Sequence, residues 1–223
     1  MALPIPLPPP VTSAIFSPQK NIVTVGGRGA RLWTQAGEGL RTFRPHREVT
    51  SIAFSPDERF VVTSSSDGSA KVWSFADSQP TAVCKLEQFQ ADGQGLQGHV
   101  GPVNQAVFHP RAEQDLILTA GQDGSAKLWK FDRDNRTASL TASLEGHKSA
   151  VTSAVFSRQG DRVLTVSQDK TARIWQLTQP PKLLQSLSHD SPVLCGNFSP
   201  DGQWVVTGSE DRQTRVWRVV DGM

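Results

Sequence analysis

The sequence predicts an all-β protein built from repeated four-stranded antiparallel sheets, and three observations support this. First, one phrase recurs five times: it opens with a strand-like segment ending in Phe and closes with a basic residue, an aliphatic residue and Trp. Second, successive closing tryptophans lie 40 to 56 residues apart, a period typical of arrays of small structural units. Third, apolar residues alternate with period two, as in strands. The copies are Val11–Trp33, Val49–Trp73, Val103–Trp129, Val151–Trp175 and Val193–Trp217.

The second copy shows the expected elements in order. Strands are predicted at Val49–Phe54, Phe60–Ser64 and Ala70–Ser74, which are rich in β-branched and aromatic residues. Ser55-Pro56-Asp57-Glu58 forms the first turn, because Pro presets the backbone and Asp bonds its own chain. Asp67-Gly68 forms the second, a strong hairpin signal. Fourth strands are expected in the spacers, at Thr81–Glu87, Ala138–Leu144 and Lys182–Leu187. Four short antiparallel strands per repeat predict a β-propeller of about five blades over residues 11–223.

Composition narrows the class of protein. Residues 1–10 form a Pro-rich leader with five prolines and no basic residue, which is unlike a signal peptide. No apolar run approaches the roughly 18 residues of a membrane helix. The net charge of +2 lacks the strong basic excess of nucleic-acid binders. Cys84 and Cys195 have no metal-type spacing and are interpreted as buried or half-buried thiols in a reducing compartment, with a disulfide as the minor alternative. The expected location is therefore the cytoplasm, without membrane or nucleic-acid partners.

Further motifs surround the repeated phrase. Gly-His precedes the first strand at Gly98-His99 and Gly146-His147, and Phe-Ser-Pro ends it at Phe16–Pro18, Phe54–Pro56 and Phe198–Pro200. Together with the closing tryptophans, these residues resemble the WD-repeat (WD40) β-propeller family across nearly the whole chain. The Asp that often follows Trp in that family is absent from all five copies, at a position that varies within it.

The resemblance implies a buried hydrogen-bonded tetrad of His, Ser, Asp and Trp in each blade, which leaves no polar group without a partner. The implied sets are His46, Ser65, Asp67 and Trp73; His147, Ser167, Asp169 and Trp175; and His189, Ser209, Asp211 and Trp217. The third copy has His99, Asp123 and Trp129, but Gly121 stands where the hydroxyl is expected. The first copy has Gly27 at the Asp position and no His, so the first blade is predicted to be the least cooperative.

No catalytic, cofactor-binding or metal-binding residue is predicted. His, Ser and Asp recur at fixed repeat positions, whereas a hydrolytic triad needs one nucleophile activated by one base. Gly93–Gly98 matches the dinucleotide fingerprint but lacks the helix that must follow it. Asp132–Asn135 lacks the Gly and Glu of a calcium loop. The chain is therefore not expected to be an enzyme.

The predicted function is a non-catalytic protein–protein interaction scaffold, a module of a larger regulatory or multiprotein assembly. Its partners would be other proteins or peptides. In the resembled family, top-face contact positions correspond here to Glu48, Thr50 and Ser66; Pro102, Asn104 and Gln122; Ala150, Thr152 and Gln168; and Pro192, Leu194 and Glu210. This set lacks the Trp, Tyr and Arg anchors of tight interfaces. The Phe75–Gly98 loop, the leader and an open blade edge remain alternative surfaces. An enzyme with its site in the propeller mouth is the alternative function, which no motif supports.

Ring closure is the open question. Five repeats are fewer than the seven most frequent in the resembled family, and the last copy stops after its third strand, at Trp217–Val220. Leu3–Pro8 could supply the missing strand only poorly, because its prolines remove backbone donors. The chain is a piece of a longer propeller, a five-bladed ring, or an arc whose open edge another chain completes. An arc is favoured, and the isolated chain is expected to self-associate or to be poorly stable.

Overall fold

The computed structural model describes residues 11–17, 21–26, 29–43, 48–74, 82–86 and 98–220. These residues form nineteen strands in five antiparallel sheets, with one 3-10 turn at Ala112–Gln114, so the predicted all-β blade architecture is confirmed. The sheets are numbered as blades 1 to 5 in chain order. No helix in this part of the chain is long and apolar enough to cross a membrane.

Each of the first four blades is an up-and-down meander of four strands. Blade 1 contains β1 (Val11–Phe16), β2 (Ile22–Gly26), β3 (Gly29–Trp33) and β4 (Gly39–Phe43). Blade 2 contains β5 (Val49–Phe54), β6 (Phe60–Ser65), β7 (Ala70–Ser74) and β8 (Ala82–Lys85). Blade 3 contains β9 (Val103–Phe108), β10 (Leu116–Gly121), β11 (Ala126–Asp132) and β12 (Thr137–Leu144). Blade 4 contains β13 (Val151–Phe156), β14 (Arg162–Ser167), β15 (Thr171–Gln176) and β16 (Lys182–Ser188).

Blade 5 has three strands in the described part of the chain: β17 (Val193–Phe198), β18 (Trp204–Ser209) and β19 (Thr214–Arg218). This agrees with the expectation that the last copy lacks a fourth strand. The leader (1–10), with its candidate strand Leu3–Pro8, lies outside the described residues, as do Gly27, His46 and most of the Phe75–Gly98 loop.

The core consists of four apolar clusters, one between each pair of neighbouring blades. We call the sheet face turned toward the next blade the front face and the opposite one the rear face. Between blades 4 and 5, Leu164 and Ile174 of the front face pack against Phe198 and Val205 of the rear face. Period-two alternation explains the division, because adjacent residues such as Val163 and Leu164 belong to opposite clusters. Each blade is therefore stabilised by its neighbours.

The blades form an arc rather than a closed ring. No apolar cluster among the described residues joins blade 5 to blade 1. Phe16 on the rear face of blade 1 and Val216 on the front face of blade 5 are exposed. The same open front face explains a wrong prediction. Cys195 was expected to be at least half-buried but is an exposed free thiol, because no blade covers its side of β17. The side chain of Cys84 lies outside the described part.

The predicted Asp-containing turns join the second and third strands of the blades. Gly68 and Gly124 have φ of 88° and 80°, which suits a residue without a Cβ. Lys170 and Arg212 replace glycine in blades 4 and 5 and adopt the same left-handed conformation, with φ of 69° and 66°. The turn geometry is therefore kept where the glycine is lost, at the steric cost of a left-handed non-glycine residue.

Candidate interaction surface

A closed hydrogen-bond network lies inside blade 4. The Trp175 indole N–H donates to Thr165 Oγ1 over 2.9 Å, and the Thr165 hydroxyl donates to His147 Nε2 over 2.8 Å. His147 Nδ1 donates to Asp169 Oδ2 over 2.9 Å, and Thr171 Oγ1 donates to Asp169 Oδ1 over 2.7 Å. Each donor finds an acceptor within the blade, so the network fixes the Asp169 turn onto the sheet.

The predicted hydroxyl position is wrong. The hydroxyl that joins His to Trp belongs to threonine two residues before the predicted serine: Thr165 rather than Ser167, and Thr207 rather than Ser209. Ser167 instead accepts from the Asp169 backbone N–H over 3.0 Å and donates to the Ser149 carbonyl over 3.0 Å. Residues two apart on a strand share a face, so spacing alone did not separate the two hydroxyls.

The hydrogen-bond network of blade 3 is complete, which corrects the expectation that Gly121 interrupts this network. Thr119 Oγ1 accepts from Trp129 Nε1 over 2.9 Å and contacts His99 Nε2 over 2.8 Å, and His99 Nδ1 lies 3.1 Å from both carboxylate oxygens of Asp123. A Cβ at Gly121 would lie 2.1 Å from His99 Nδ1. Glycine is therefore the residue that leaves room for the histidine in this blade.

The remaining blades keep only part of the network among the described residues. In blade 5, His189 Nε2 and Trp217 Nε1 both bind Thr207 Oγ1, over 2.8 and 2.9 Å. Asp211 binds Arg215 Nη1 over 2.7 Å instead of the histidine. In blade 2, Trp73 Nε1 donates to Thr63 Oγ1 over 2.9 Å, and Asp67 accepts from Ser69; its predicted partner His46 lies outside the described residues. Blade 1 has the same tryptophan bond, from Trp33 to Thr24 over 2.9 Å.

The blade 4 network has a defined charge state. Burial raises the pKa of Asp169, but hydrogen bonds from Thr171, the Lys148 backbone N–H and His147 outweigh it and bring the pKa to about 2. Burial lowers the pKa of His147 despite the neighbouring carboxylate. At neutral pH the pair is therefore a carboxylate and a neutral imidazole, in which Nδ1 carries the proton and Nε2 accepts from Thr165.

We expect the chain to lose stability in two steps on acidification. The pKa of His147 is lowered from its ordinary 6.5, so its contribution is complete above pH 6.5 and is lost as the pH falls through the folded-state pKa. The Asp169 contribution is complete above pH 3.8 and is lost between 3.8 and about 2. Urea unfolding midpoints between pH 7.5 and 2 measure this. His147→Gln should flatten the first step, and an unchanged pH profile in that variant would contradict the assignment.

The first strand of every blade contains a β-bulge after its first residue. The bulged residue is skipped in the strand pairing, and in blades 2, 3 and 4 its side chain turns toward the next blade. Thr50 Oγ1 donates to the Val103 carbonyl over 2.6 Å, and Asn104 Nδ2 donates to the Val151 carbonyl over 2.8 Å. Thr152 Oγ1 donates to the Val193 carbonyl over 2.8 Å. We call these three bonds the bulge clasps; they join blade 2 to blade 3, blade 3 to blade 4 and blade 4 to blade 5.

The bulge clasps change the predicted partner surface. Thr50, Asn104 and Thr152 were expected contact positions, but their side chains hold neighbouring blades together. The positions before the turn Asp remain available, because Gln122, Gln168 and Glu210 are exposed. The backbone N–H groups of these three residues donate over 2.9 to 3.0 Å to the carbonyl oxygens of Pro102, Ala150 and Pro192, which holds the residues in place. With exposed Glu48, they form what we call the top rim: Glu48, Gln122, Gln168 and Glu210.

A cavity of about 490 Å³ lies where blades 1, 2 and 3 meet. Arg133 from blade 3 binds Asp57 of blade 2 and Asp115 of its own blade, and its guanidinium carbon lies 5.4 Å from the centre of the Phe60 ring. The described lining contains neither histidine nor cysteine. Within the described residues, no group of three or more His, Cys, Asp or Glu could hold a metal ion. The cavity therefore contains an inter-blade ion pair and no histidine–nucleophile pair.

Comparison with known proteins agrees with this geometry. The family model described as "WD domain, G-beta repeat" (WD40) matches residues 37–74, 91–130, 138–176 and 181–218, more than half of the chain. The matched segments contain all the strands of blades 4 and 5 and most of those of blades 2 and 3. Strand β8, the last two residues of β11 and the first residue of β12 lie outside them. Blade 1, whose copy lacks the expected His and Asp, is matched only in β4.

Individual relatives share the repeats over a small part of their length. A probable coatomer subunit beta' of Schizosaccharomyces pombe is 32% identical over 138 residues, covering 61% of this chain and 15% of that protein. Transducin beta-like protein 3 of Bos taurus is 28% identical over 172 residues, covering 75% and 20%. Nuclear distribution protein nudF of Aspergillus niger is 30% identical over 139 residues, covering 61% and 28%. The chain thus spans less than a third of each relative, and its repeats, blades and Thr–Trp bonds agree with the family match: the chain belongs to the WD40 family of WD domains with G-beta repeats.

Proposed function

We propose that the chain is a non-catalytic protein-interaction scaffold that works in the cytoplasm as a module of a larger assembly. The observation that carries this proposal is the closure of the blade 3 and blade 4 networks. Their histidines, carboxylates and hydroxyls bind one another inside a blade and support the sheet. The residues that could carry out chemistry are therefore engaged in hydrogen bonds that support the sheet. The polar groups that a partner could bind lie on the surface.

Two further observations support the proposal. One relative is named as a subunit of coatomer, which favours a role within an assembly. Cys195 is a free exposed thiol, which suits a reducing compartment. The enzyme alternative gains no support from the described cavity, whose arginine is engaged by Asp57 and Asp115.

The top rim is the proposed contact surface for a partner protein. Its four side chains are exposed while backbone bonds hold the turns that carry three of them, so binding would order few additional groups. Two of the four are acidic, and the other two are amides that both donate and accept. A partner of matching chemistry presents basic residues and backbone polar groups rather than a large apolar anchor.

The test is a binding experiment with matched charge reversals. The chain is used to capture a stoichiometric partner from its native host, and that partner is then purified and titrated against the variants. We expect Glu48→Lys with Glu210→Lys to weaken the Kd at least tenfold, because both acidic groups of the rim are reversed. Asp134→Lys is the control, since Asp134 is exposed in the turn at the opposite end of β11. Equal loss in both variants would contradict the proposed surface, and substrate turnover by the purified chain would contradict the scaffold role.

A further inference from the structure

Arg173 on β15 is a half-buried arginine without a counter-ion. Its Nε is completely buried without a hydrogen-bond partner, and no acceptor in the described part of the chain binds its terminal nitrogens. The guanidinium lies against the loop that joins blades 3 and 4, because a Cβ at Gly146 would come within 2.4 Å of Nη1. Glu145 is in the same loop but is exposed and forms no ion pair with Arg173. Such a guanidinium costs free energy, which a bound anion would offset.

Blade 5 shows how an arginine at the same repeat position is satisfied. Arg215 also lies two residues before the closing tryptophan. Its Nη1 donates to Asp211 Oδ2 over 2.7 Å, and its Nη2 donates to Asp190 Oδ2 over 3.2 Å. The Asp190 side chain is 90% exposed, so a carboxylate can approach this guanidinium from the solvent. The position therefore accommodates two anionic groups, one from the turn and one from the solvent side.

Blade 4 provides neither carboxylate for Arg173. The turn carboxylate, Asp169, accepts from His147 and Thr171 and makes no bond to the arginine. A cation replaces the second carboxylate, because Lys148 follows the network histidine where blade 5 has an aspartate. Burial lowers the pKa of His147, and the charge of Arg173 lowers it further, which agrees with a guanidinium beside the network.

Two exposed lysines add positive charge beside Arg173. The Lys148 backbone N–H donates to Asp169 over 3.0 Å, and Lys170 follows Asp169 in the turn, so both lysine side chains start next to the same carboxylate. Neither ammonium group has a partner among the described residues. The network does not require the Lys148 ammonium, because Val100 makes the same backbone bond in blade 3. We call Lys148, Lys170 and Arg173 the basic corner of blade 4.

We propose that the basic corner binds an anionic group, a phosphate or a carboxylate, on a partner protein. The planar guanidinium of Arg173 would bind the oxygens of the anion, and the two lysines would contribute charge. A phosphate is expected to bind more tightly than a carboxylate, because it brings about two negative charges to three cations. The site rests on the scaffold role only in naming a protein as the source of the anion. It does not include the top rim, so either proposal can fail alone.

NMR titrations of the purified full chain with sodium phosphate and sodium acetate test the site, with sodium chloride at matched ionic strength as the reference. The Arg173 Nε–H and Lys148 backbone N–H signals are expected to shift and saturate with phosphate, more weakly with acetate, and not with chloride. The Arg215 Nε–H is the internal control and should not respond, because two carboxylates already bind that guanidinium. Arg173→Gln should remove the response of the Lys148 N–H.

Two variants with the same change of charge make the titration specific. Lys148→Asp places a carboxylate where blade 5 has Asp190, so it should bind Arg173 internally, raise the Tm and abolish the phosphate response. Lys182→Asp is the control, because Lys182 is exposed and pairs with Gln176, at the end of β15 away from Arg173. This control variant should bind phosphate as the unmodified chain does.

Three outcomes would overturn the proposal. They are the absence of a saturable shift with either anion, an equal loss of response in both aspartate variants, and a response that appears only after Glu145→Gln. The last would mean that Glu145 neutralises Arg173 in solution. Tighter binding of phosphate supports a phosphorylated segment as the source of the anion, and equal or tighter binding of acetate supports an acidic one. Because the titration uses free anions, its result does not depend on a partner bound at the top rim.

Discussion

Replacing Thr165 by valine is expected to destabilise the chain by about 3 kcal/mol, because two buried groups lose their partner at once. The Trp175 indole N–H loses its acceptor and His147 Nε2 loses its donor. Valine preserves the shape of threonine, so the loss reports the hydroxyl rather than a cavity. In a chain of this size the change corresponds to a fall in Tm of roughly 6–12 °C. Thermal and urea unfolding at pH 7 measure it.

Two variants make the Thr165 experiment specific. Thr165→Ser retains the hydroxyl and should retain most of the stability. Ser167→Ala removes the hydroxyl predicted from sequence and should cost about 1 kcal/mol, since it affects only bonds to the Asp169 N–H and the Ser149 carbonyl. If Ser167→Ala proved more damaging than Thr165→Val, the assignment of the hydroxyl to threonine would be wrong.

Asp169→Ala is expected to cost about 2–4 kcal/mol, because Asp169 accepts bonds from several groups within the blade. His147 Nδ1, the Lys148 backbone N–H and the Thr171 backbone N–H would lose their acceptor together. The corresponding Asp211→Ala is the matched control at the same repeat position. Asp211 binds Arg215 and the Gln213 N–H rather than the histidine, so its loss should be clearly smaller.

Urea unfolding midpoints of the two aspartate variants decide this prediction. Equal losses would mean that repeat position, rather than the observed contacts, determines the contribution of each carboxylate. Asp169→Asn should lie between the wild type and Asp169→Ala, because an amide oxygen still accepts from His147 while the charge is removed.

The blade architecture was predictable because it depends on period-two alternation and on local turns. Val49–Phe54 was predicted as a strand with the observed bounds, and Lys182–Leu187 ended one residue early. The Asp turns were predictable for the same reason, since each turn type needs particular residues over four positions. The three strands that blade 5 has within the described residues also agree with the count of strand segments up to Trp217.

Contacts between blades were less predictable, because they join residues that are distant in sequence. Thr50 and Val103 are separated by a long loop, and nothing local in the sequence indicates that a bulge turns Thr50 toward Val103. Gly121 illustrates the same limit within a blade. In sequence it reads as a missing hydroxyl, whereas its role depends on the position of the His99 ring across the sheet.

The separation of the core into four inter-blade clusters has a consequence for how such chains change during evolution. Removing a blade from either end of the array removes one apolar interface. Removing an internal blade removes two such interfaces and requires a new one to form between its former neighbours. Duplication or loss at the ends is therefore the less costly change, and the terminal repeats are the ones free to diverge. Among the described blades, blade 1, with Gly27 in place of the turn aspartate, and blade 5, with Leu194 in place of a clasp donor, each take part in one cluster and depart from the pattern of blades 2 to 4.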